Sequence, residues 1–155
     1  MSPAEFIELL LPAAQTCHRD TGIPASFTLA QAALESSWGA RAPGFNLFGV
    51  KPGPAWKGAT VLVDTHEFIK GVRTPMKCAF RAYSSWLHCI QDHADFFRQN
   101  PRYRKCFVEQ TGEGWARAAA AAGYATDPTY ADKLIAIMRG RNLARYDALP
   151  SKVPA

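Results

Sequence analysis

Two glutamates stand out in this sequence because each lies where a charged side chain is unexpected. Glu35 ends the run 28–35, TLAQAALE, which is mostly apolar and rich in strong helix formers. Glu67 lies in the valine-rich segment 60–68. Two carboxyl groups on opposite walls of a cleft can cleave a glycosidic bond, one as acid and the other as base or charge stabiliser. The pair therefore indicates glycoside cleavage as the first chemistry to consider.

Glu35 is predicted to lie in the last turn of a helix that Ser26 caps and that ends at Gly39 in a left-handed conformation. The negative end of the helix dipole and incomplete hydration both raise the pKa of a carboxyl group there. A carboxylic acid that stays protonated near neutral pH can serve as a general acid. The alternative is an exposed terminal glutamate beside Ser36 and Ser37, with no role in chemistry.

Glu67 is predicted to lie on a β-strand. Alternation places one set of side chains on a single face: Val61, Val63, Thr65 and Glu67. A turn at Lys70-Gly71 and a second strand over 74–83 complete a β-hairpin, which must pack on helices because an isolated hairpin is marginally stable. The alternative for Glu67 is a solvent-facing strand residue whose neighbours are His66 or Lys70.

Aromatic residues follow Glu35 closely. The loop 42–49 contains Phe45 and Phe48, which either fill the core or form the wall of a groove beside Glu35. Tyr124 lies in a turn between two helices, where its hydroxyl either bonds a backbone carbonyl or faces a substrate. Tyr130 has the helical spacing of a core residue. Trp38 can stack on a sugar ring.

The composition limits the class of protein. A chain of 155 residues is long enough for one domain with a proper core, and we expect that domain over 1–149 with a loose tail over 150–155. The net charge of +5 suits a polyanion such as nucleic acid, acidic lipid or a peptide-bearing cell-wall polymer. Because no nucleic-acid-binding motif is visible, nucleic acid is not an expected partner.

The cysteines and the N-terminal segment exclude further classes. The four cysteines lack metal-ligand spacing, so we expect buried free thiols and neither a metal nor another cofactor. The first apolar run carries Glu5 and Glu8, has no basic residues before it and is interrupted by Pro12. We therefore expect neither a signal peptide nor a stable membrane insertion.

The remaining elements are mostly helical. Ser2 to Glu5 has the pattern of a capping box for a first helix, in which Pro12 predicts a kink or a break. Ser84 is expected to cap a helix that ends at Asn100. A short helix over 103–108, an alanine-rich one over 115–122 and a last one capped by Asp127-Pro128 follow. These elements predict an α+β domain, mainly helical, with one hairpin lobe.

Four phrases of the sequence, taken in order, resemble glycoside hydrolase family 73. They are ALESSWG at 33–39, NLFGVK at 46–51, THEF at 65–68 and AGYATDPTYA at 122–131. This family contains bacterial and phage N-acetylglucosaminidases, including the C-terminal hydrolase domain of the flagellar rod-cap protein. The resemblance extends from about Phe6 to Leu143. Ser37 stands where the family usually has glycine, and Phe68 where it commonly has tyrosine.

The resemblance implies a lysozyme-like fold, with a helical lobe and a small β-hairpin lobe flanking a glycan groove. It implies cleavage of the β-1,4 bond after N-acetylglucosamine in peptidoglycan, without a metal. Glu35 would be the general acid, Glu67 the second acidic residue and Tyr124 the cleft tyrosine. The residues expected to bind the glycan or shape the groove floor are Trp38, Asn46, Phe48, Gly49 and Tyr130.

The mechanism and the biological role have alternatives at this point. Either Glu67 activates water in an inverting reaction, for which the carboxyl groups lie roughly 6.5–9.5 Å apart, or the 2-acetamido group of the substrate attacks and Tyr124 steadies the intermediate. A lytic transglycosylase, a muramidase and a non-catalytic peptidoglycan-binding or assembly module are the competing functions.

We expect a monomeric phage or prophage endolysin. It would be made in the cytoplasm without a signal peptide, released with the help of a holin and act on the cell wall in the periplasm. A flagellar or secreted autolysin is the alternative role.

Overall fold

Five α-helices and one antiparallel hairpin form the fold over residues 1–149, which are the residues that the computed structural model describes. The helices are α1 (Pro3–Thr21), α2 (Ala25–Ser36), α3 (Trp86–Gln99), α4 (Gly112–Ala121) and α5 (Tyr130–Gly140), and the strands are β1 (Thr60–Ile69) and β2 (Val72–Arg81). Short 3-10 helices occupy Pro43–Phe45, Pro101–Val108 and Leu143–Asp147. The predicted mainly helical α+β fold is confirmed. The predicted tail, 150–155, lies outside the described residues.

Helix α1 begins with the predicted capping box. The Ser2 hydroxyl accepts from the Glu5 amide, and the Glu5 carboxylate accepts from the Ser2 amide. Of the kink or break predicted at Pro12, the break does not occur, because α1 continues through Pro12 to Thr21. Proline removes only one intrahelical hydrogen bond, and the buried face that includes Phe6 and Leu10 packs the helix onto its neighbours.

Helix α2 is the central element of the core, and ten of its twelve residues are buried. The prediction that Ser26 caps it is wrong, since the helix begins at Ala25 and Ser26 lies in its first turn. The amide and hydroxyl of Ser26 instead donate to the Asp147 carboxylate at 2.8 Å and 2.6 Å. A carboxylate 121 positions later in the chain therefore meets the positive end of the α2 dipole.

The C-terminal end of α2 also differs from the prediction. The helix ends at Ser36, and Ser37 takes the left-handed conformation that follows it, with φ 51°. Gly39 is left-handed as well, with φ 87°, but it lies three residues beyond the helix. Its amide donates to the Ser36 hydroxyl. Glu35 therefore occupies the last turn, as predicted.

The hairpin has the predicted turn and faces. Lys70 and Gly71 form a two-residue turn with positive φ angles of 50° and 78°. The register pairs Glu67 with Thr74, and β2 begins at Val72. The expected inner face of β1 is half-buried, whereas the residues between its members are exposed.

The later helices follow the predicted order with shifted caps. Ser85, one residue after the predicted Ser84, accepts from the His88 amide and caps α3. Helix α4 begins at Gly112 rather than 115. Asp127 accepts from both the amide and the hydroxyl of Thr129, so it orders the turn before α5 and does not cap the helix.

The cysteine prediction is largely confirmed. All four thiols are free; three are buried and Cys78, on β2, is half-buried. Within residues 1–149 no helix is long and apolar enough to cross a membrane. The same residues contain no cluster of histidine, cysteine or carboxylate side chains suited to a metal ion.

Candidate active site

A cleft of about 660 Å³ opens between the helices and the base of the hairpin. Helix α2 contributes one lining residue, the loop after α2 contributes two, β2 contributes one and α3 contributes five. The segments that follow α3 and α4 contribute the other three. The lining residues are Glu35, Phe48, Val50, Arg81, Asp92, His93, Asp95, Phe96, Gln99, Asn100, Tyr124 and Ala125. Three of the predicted site residues, Glu35, Phe48 and Tyr124, therefore share one cleft.

Glu35 lines the cleft, and its side chain is exposed to solvent there. The Tyr130 hydroxyl donates a 2.8 Å hydrogen bond to Glu35 Oε1. Burial raises the pKa of the Glu35 carboxyl, and the hydrogen bond from Tyr130 partly opposes this effect. The balance leaves the pKa above its ordinary value, which favours a protonated carboxyl able to donate a proton.

Three buried side chains extend this contact into the core. Gln31, one helical turn before Glu35, donates from its Nε2 to the Tyr130 hydroxyl at 3.0 Å. Its Oε1 lies 2.9 Å from His93 Nε2 on α3. The side chains of Gln31, Tyr130 and His93 are all buried. Hydrogen bonds thus connect α3 to Glu35 through α2 and α5.

Tyr124 and Tyr130 stack with ring centroids 5.5 Å apart and planes 23° apart. The Tyr124 hydroxyl lies 3.4 Å from His93 Nε2. Tyr124 is half-buried and lines the cleft, whereas Tyr130 is buried behind it. Burial raises the pKa of both phenols, so both stay protonated.

Glu67 lies on the inner face of the hairpin but is not among the described residues that line the cleft. Its carboxylate is 3.6 Å from Lys51 Nζ and 3.9 Å from Cys78 Sγ. Neither His66 nor Lys70 makes this contact. The second predicted carboxyl group therefore lies beside Lys51, at the end of the loop 46–51.

The loop residues predicted to form the floor have distinct roles. Phe48 stacks on His93 with centroids 3.8 Å apart and planes 12° apart. Asn46 is buried; its amide nitrogen donates to the carbonyls of Val50 and Arg81, and its oxygen accepts from the amides of Phe48 and Val50. Asn46 thus holds the loop shape, while Gly49 has a positive φ of 63° and open space around it.

Trp38 lies outside the cleft lining. Its ring packs edge-on against Phe6 with centroids 5.8 Å apart, and the Arg141 guanidinium lies 5.6 Å from the ring centre. This packing does not favour the predicted contact between Trp38 and a sugar. The Tyr130 hydroxyl likewise donates to Glu35 and does not face the open cleft.

Sequence reasoning missed Gln31 and His93. The available signal for Gln31 was a polar residue four positions before Glu35 in an apolar helix. His93 interrupts the buried stripe of α3 between Ile90 and Phe97. Sequence reasoning also missed Asp92. Its carboxylate accepts hydrogen bonds from Arg81 at 2.9 Å and from Tyr83 at 2.6 Å, and these bonds connect α3 to the base of the hairpin.

A helical lobe, a hairpin lobe and a cleft that holds a carboxyl of raised pKa define a lysozyme-like glycoside hydrolase fold. A family model described as mannosyl-glycoprotein endo-beta-N-acetylglucosaminidase matches residues 11–143. The chain belongs to this glucosaminidase family, glycoside hydrolase family 73.

Individual proteins agree with this assignment. The peptidoglycan hydrolase FlgJ of Escherichia coli K12 is 42% identical over 140 residues, which are 86% of this chain and 44% of that protein. The exo-glucosaminidase LytG of Bacillus subtilis is 38% identical over 92% of this chain and 52% of its own length. The chain thus spans about half the length of these relatives. The solved, C-terminally truncated glycoside hydrolase domain of Salmonella typhimurium FlgJ has a TM-score of 0.82 at 37% identity, over 91% of this chain and 98% of that chain.

Proposed function

We propose that this chain is a peptidoglycan hydrolase that cleaves the β-1,4 bond after N-acetylglucosamine, with Glu35 as the general acid. The observation that carries the proposal is the Glu35 carboxyl, which faces the cleft with a raised pKa and accepts a hydrogen bond from Tyr130. The similarity to the peptidoglycan hydrolase FlgJ and to the exo-glucosaminidase LytG supports the substrate and the bond.

In the first step, protonated Glu35 gives its proton to the oxygen that leaves the scissile bond. The carbonyl oxygen of the substrate's own 2-acetamido group attacks the anomeric carbon as that bond breaks. Tyr124, whose hydroxyl is held at the cleft wall, steadies the positively charged ring that forms. Water then opens this ring, and the Glu35 carboxylate takes the proton from the water.

The position of Glu67 favours this route over direct attack by water. A base for inversion must hold water opposite the leaving group, whereas Glu67 pairs with Lys51 outside the cleft lining. The two routes give different products. Attack by the acetamido group retains the anomeric configuration, and water activated by Glu67 inverts it. Proton NMR of the first products distinguishes them, and inversion together with an inactive Glu67→Gln variant would restore Glu67 as the base.

The test of the function is mass spectrometry of fragments from purified sacculi treated with wild type or Glu35→Gln. We expect reducing-end N-acetylglucosamine from the wild type alone. Reducing-end N-acetylmuramic acid would indicate a muramidase, and 1,6-anhydromuramic acid a lytic transglycosylase. Sacculi that bind both proteins and release no fragments would indicate a binding module and overturn the proposal. The length of the first fragments separates internal from terminal cleavage.

The role of phage or prophage endolysin stays a prediction. The relatives described above are FlgJ and LytG, which support an enzyme acting on the cell wall without favouring an endolysin. Lysis of a producing culture only when a holin is co-expressed would support the endolysin role. Gel filtration tests the expected monomer.

A further inference from the structure

We propose that His93 is a positioning residue for Glu35, acting through Gln31 and Tyr130. His93 makes no contact with Glu35 itself; it orients the Gln31 amide, which in turn orients the Tyr130 hydroxyl. The inference deepens the proposed function and rests on it.

The direction of each hydrogen bond follows from Glu35, the acceptor at the end of this series of hydrogen bonds. An ionised Glu35 can only accept, so the Tyr130 hydroxyl donates to it. The Tyr130 oxygen can then accept from Gln31, which must present its NH₂ group there. This orientation leaves the Gln31 oxygen facing His93, whose Nε2 must therefore carry a proton. When Glu35 is ionised, one orientation of each group satisfies all three hydrogen bonds, and the Tyr124 hydroxyl lies 3.4 Å from the same His93 Nε2.

The His93 ring is well held for this purpose. It stacks on Phe48 with centroids 3.8 Å apart and planes 12° apart, and it is parallel to Phe96 within 3°, with centroids 5.8 Å apart. Phe97 contacts it edge-on at 4.9 Å. Burial lowers the pKa of His93 to about 3, so the imidazole is neutral wherever the enzyme works and has one N–H to donate.

Gln31 needs such a partner because its two ends are nearly equal in shape. Without a donor at position 93, rotation of the amide by 180° would present its oxygen to Tyr130. The Tyr130 hydroxyl would then donate to Gln31 instead of Glu35. Glu35 would lose the hydrogen bond that stabilises its charged form, and its pKa would rise further.

Other titratable groups near Glu35 keep their charges when His93 changes. Tyr124 and Tyr130 face it from the turn before α5 and from α5 itself. Arg81 on β2, with Asp92 and Asp95 on α3, line the same cleft. A change at position 93 alters none of these charges, because His93 is neutral. A shift in the titration of Glu35 would therefore report the hydrogen-bond chain.

The test compares His93→Phe with His93→Gln. Phenylalanine keeps an aromatic ring between Phe48 and Phe96 but has no donor, whereas glutamine restores an N–H at the position of Nε2. His93→Leu repeats the first change if the phenylalanine variant does not fold. The direct measurement is the pH titration of the Glu35 side-chain carboxyl by ¹³C NMR, assigned with Glu35→Gln.

We expect the midpoint for Glu35 to move to higher pH in His93→Phe and to return towards wild type in His93→Gln. In Tyr130→Phe the midpoint should also rise, and adding His93→Phe to it should cause no further rise, since both changes remove one interaction. An unchanged midpoint in folded His93→Phe, or equal shifts in the phenylalanine and glutamine variants, would overturn the inference.

A second readout uses catalysis on soluble, uncrosslinked peptidoglycan strands. The alkaline limb of the pH profile of kcat should move to higher pH in His93→Phe. At neutral pH we expect a loss of about tenfold in kcat, which corresponds to a hydrogen bond of about 1.4 kcal/mol, and little change in KM. A loss of kcat without movement of the limb indicates a merely structural role. If the wild type cleaves no strands, the proposed function fails, while the NMR titration still decides the role of His93.

Discussion

Tyr130 on α5 donates its hydroxyl hydrogen to Glu35 on α2 over 2.8 Å, although the two residues are 95 positions apart in the chain. The contact acts against the burial that raises the pKa of Glu35. A carboxyl with both influences holds its proton to higher pH than an ordinary glutamate and still becomes a usable base after it has given up its proton. Packing of α5 against α2 therefore bears directly on the chemistry.

Glu35→Gln should abolish hydrolysis of sacculi while leaving the fold intact. A general acid contributes about 10²–10⁴-fold to the rate, so the loss should be at least of this order. The substituted amide would keep an oxygen that can accept from Tyr130. The measurement is the release of soluble fragments, with circular dichroism as the check on folding. Glu8→Gln, a change at an exposed glutamate of α1, is the control and should retain full activity.

The same variant should be more stable than the wild type at neutral pH. A carboxyl whose pKa is raised on folding stabilises the folded state below its unfolded pKa, and this contribution is lost as pH rises through the folded pKa. Glutamine has no such loss. The advantage of Glu35→Gln in the free energy of unfolding should therefore grow between pH 4 and pH 7, as followed by urea titration at each pH. An advantage that shrank over that range would contradict the raised pKa.

Tyr130→Phe should move the alkaline limb of the activity profile to higher pH. The variant removes the hydrogen bond that favours the charged Glu35, so the carboxyl should keep its proton to higher pH. The maximal rate should fall, because Glu35 loses the contact that orients it. Initial rates on soluble strands at a series of pH values provide the measurement. Tyr146→Phe, at a partly buried tyrosine of the last 3-10 helix, is the control and should leave the limb in place.

Local patterns predicted the elements, because the determinants of caps and turns lie within a few residues. The capping box from Ser2 to Glu5 and the turn at Lys70-Gly71 are of this kind, and both were correct. Ser26 has the residue type of a cap but lies inside α2, since Asp147 approaches from the far end of the chain. No local pattern contains that contact.

The candidate site also contains residues that local sequence patterns predicted and residues that only the packing revealed. The position of Glu35 at a helix end was predictable from its own segment, and Tyr124 from its turn. The spacing of Tyr130 indicated the core and could not reveal that its hydroxyl meets Glu35. Gln31 and His93 became visible only through the packing of α2 against α3 and α5. The position of Glu67 beside Lys51 depends on how the hairpin meets the loop, which strand alternation does not specify.

Asp147→Ala should lower the free energy of unfolding by about 2 kcal/mol, because two hydrogen bonds to a charged acceptor are lost and the buried Ser26 hydroxyl is left without its partner. Asp147→Asn should fall between this variant and the wild type, since one oxygen can still accept. Urea unfolding followed by tryptophan fluorescence provides the measurement. Asp64→Ala removes a fully hydrated carboxylate paired with Lys77 only at 4.0 Å and should cost little. Equal costs for Asp147→Ala and Asp64→Ala would contradict the role of Asp147 at the start of α2.

Alkylation of the native protein should modify Cys78 first and the other three thiols only on unfolding. Burial raises the pKa of Cys89 to about 12 and that of Cys106 to about 11, and it raises the pKa of Cys17 as well. Because the thiolate is the reactive form, these groups should react slowly even where solvent reaches them. Iodoacetamide at pH 8 should add one group per chain under native conditions and four in denaturant, as counted by intact mass spectrometry. Cys78→Ser should remove the native reaction. Rapid modification of a second cysteine in that variant would show that α1, α3 or the 3-10 helix Pro101–Val108 opens more readily than its burial indicates.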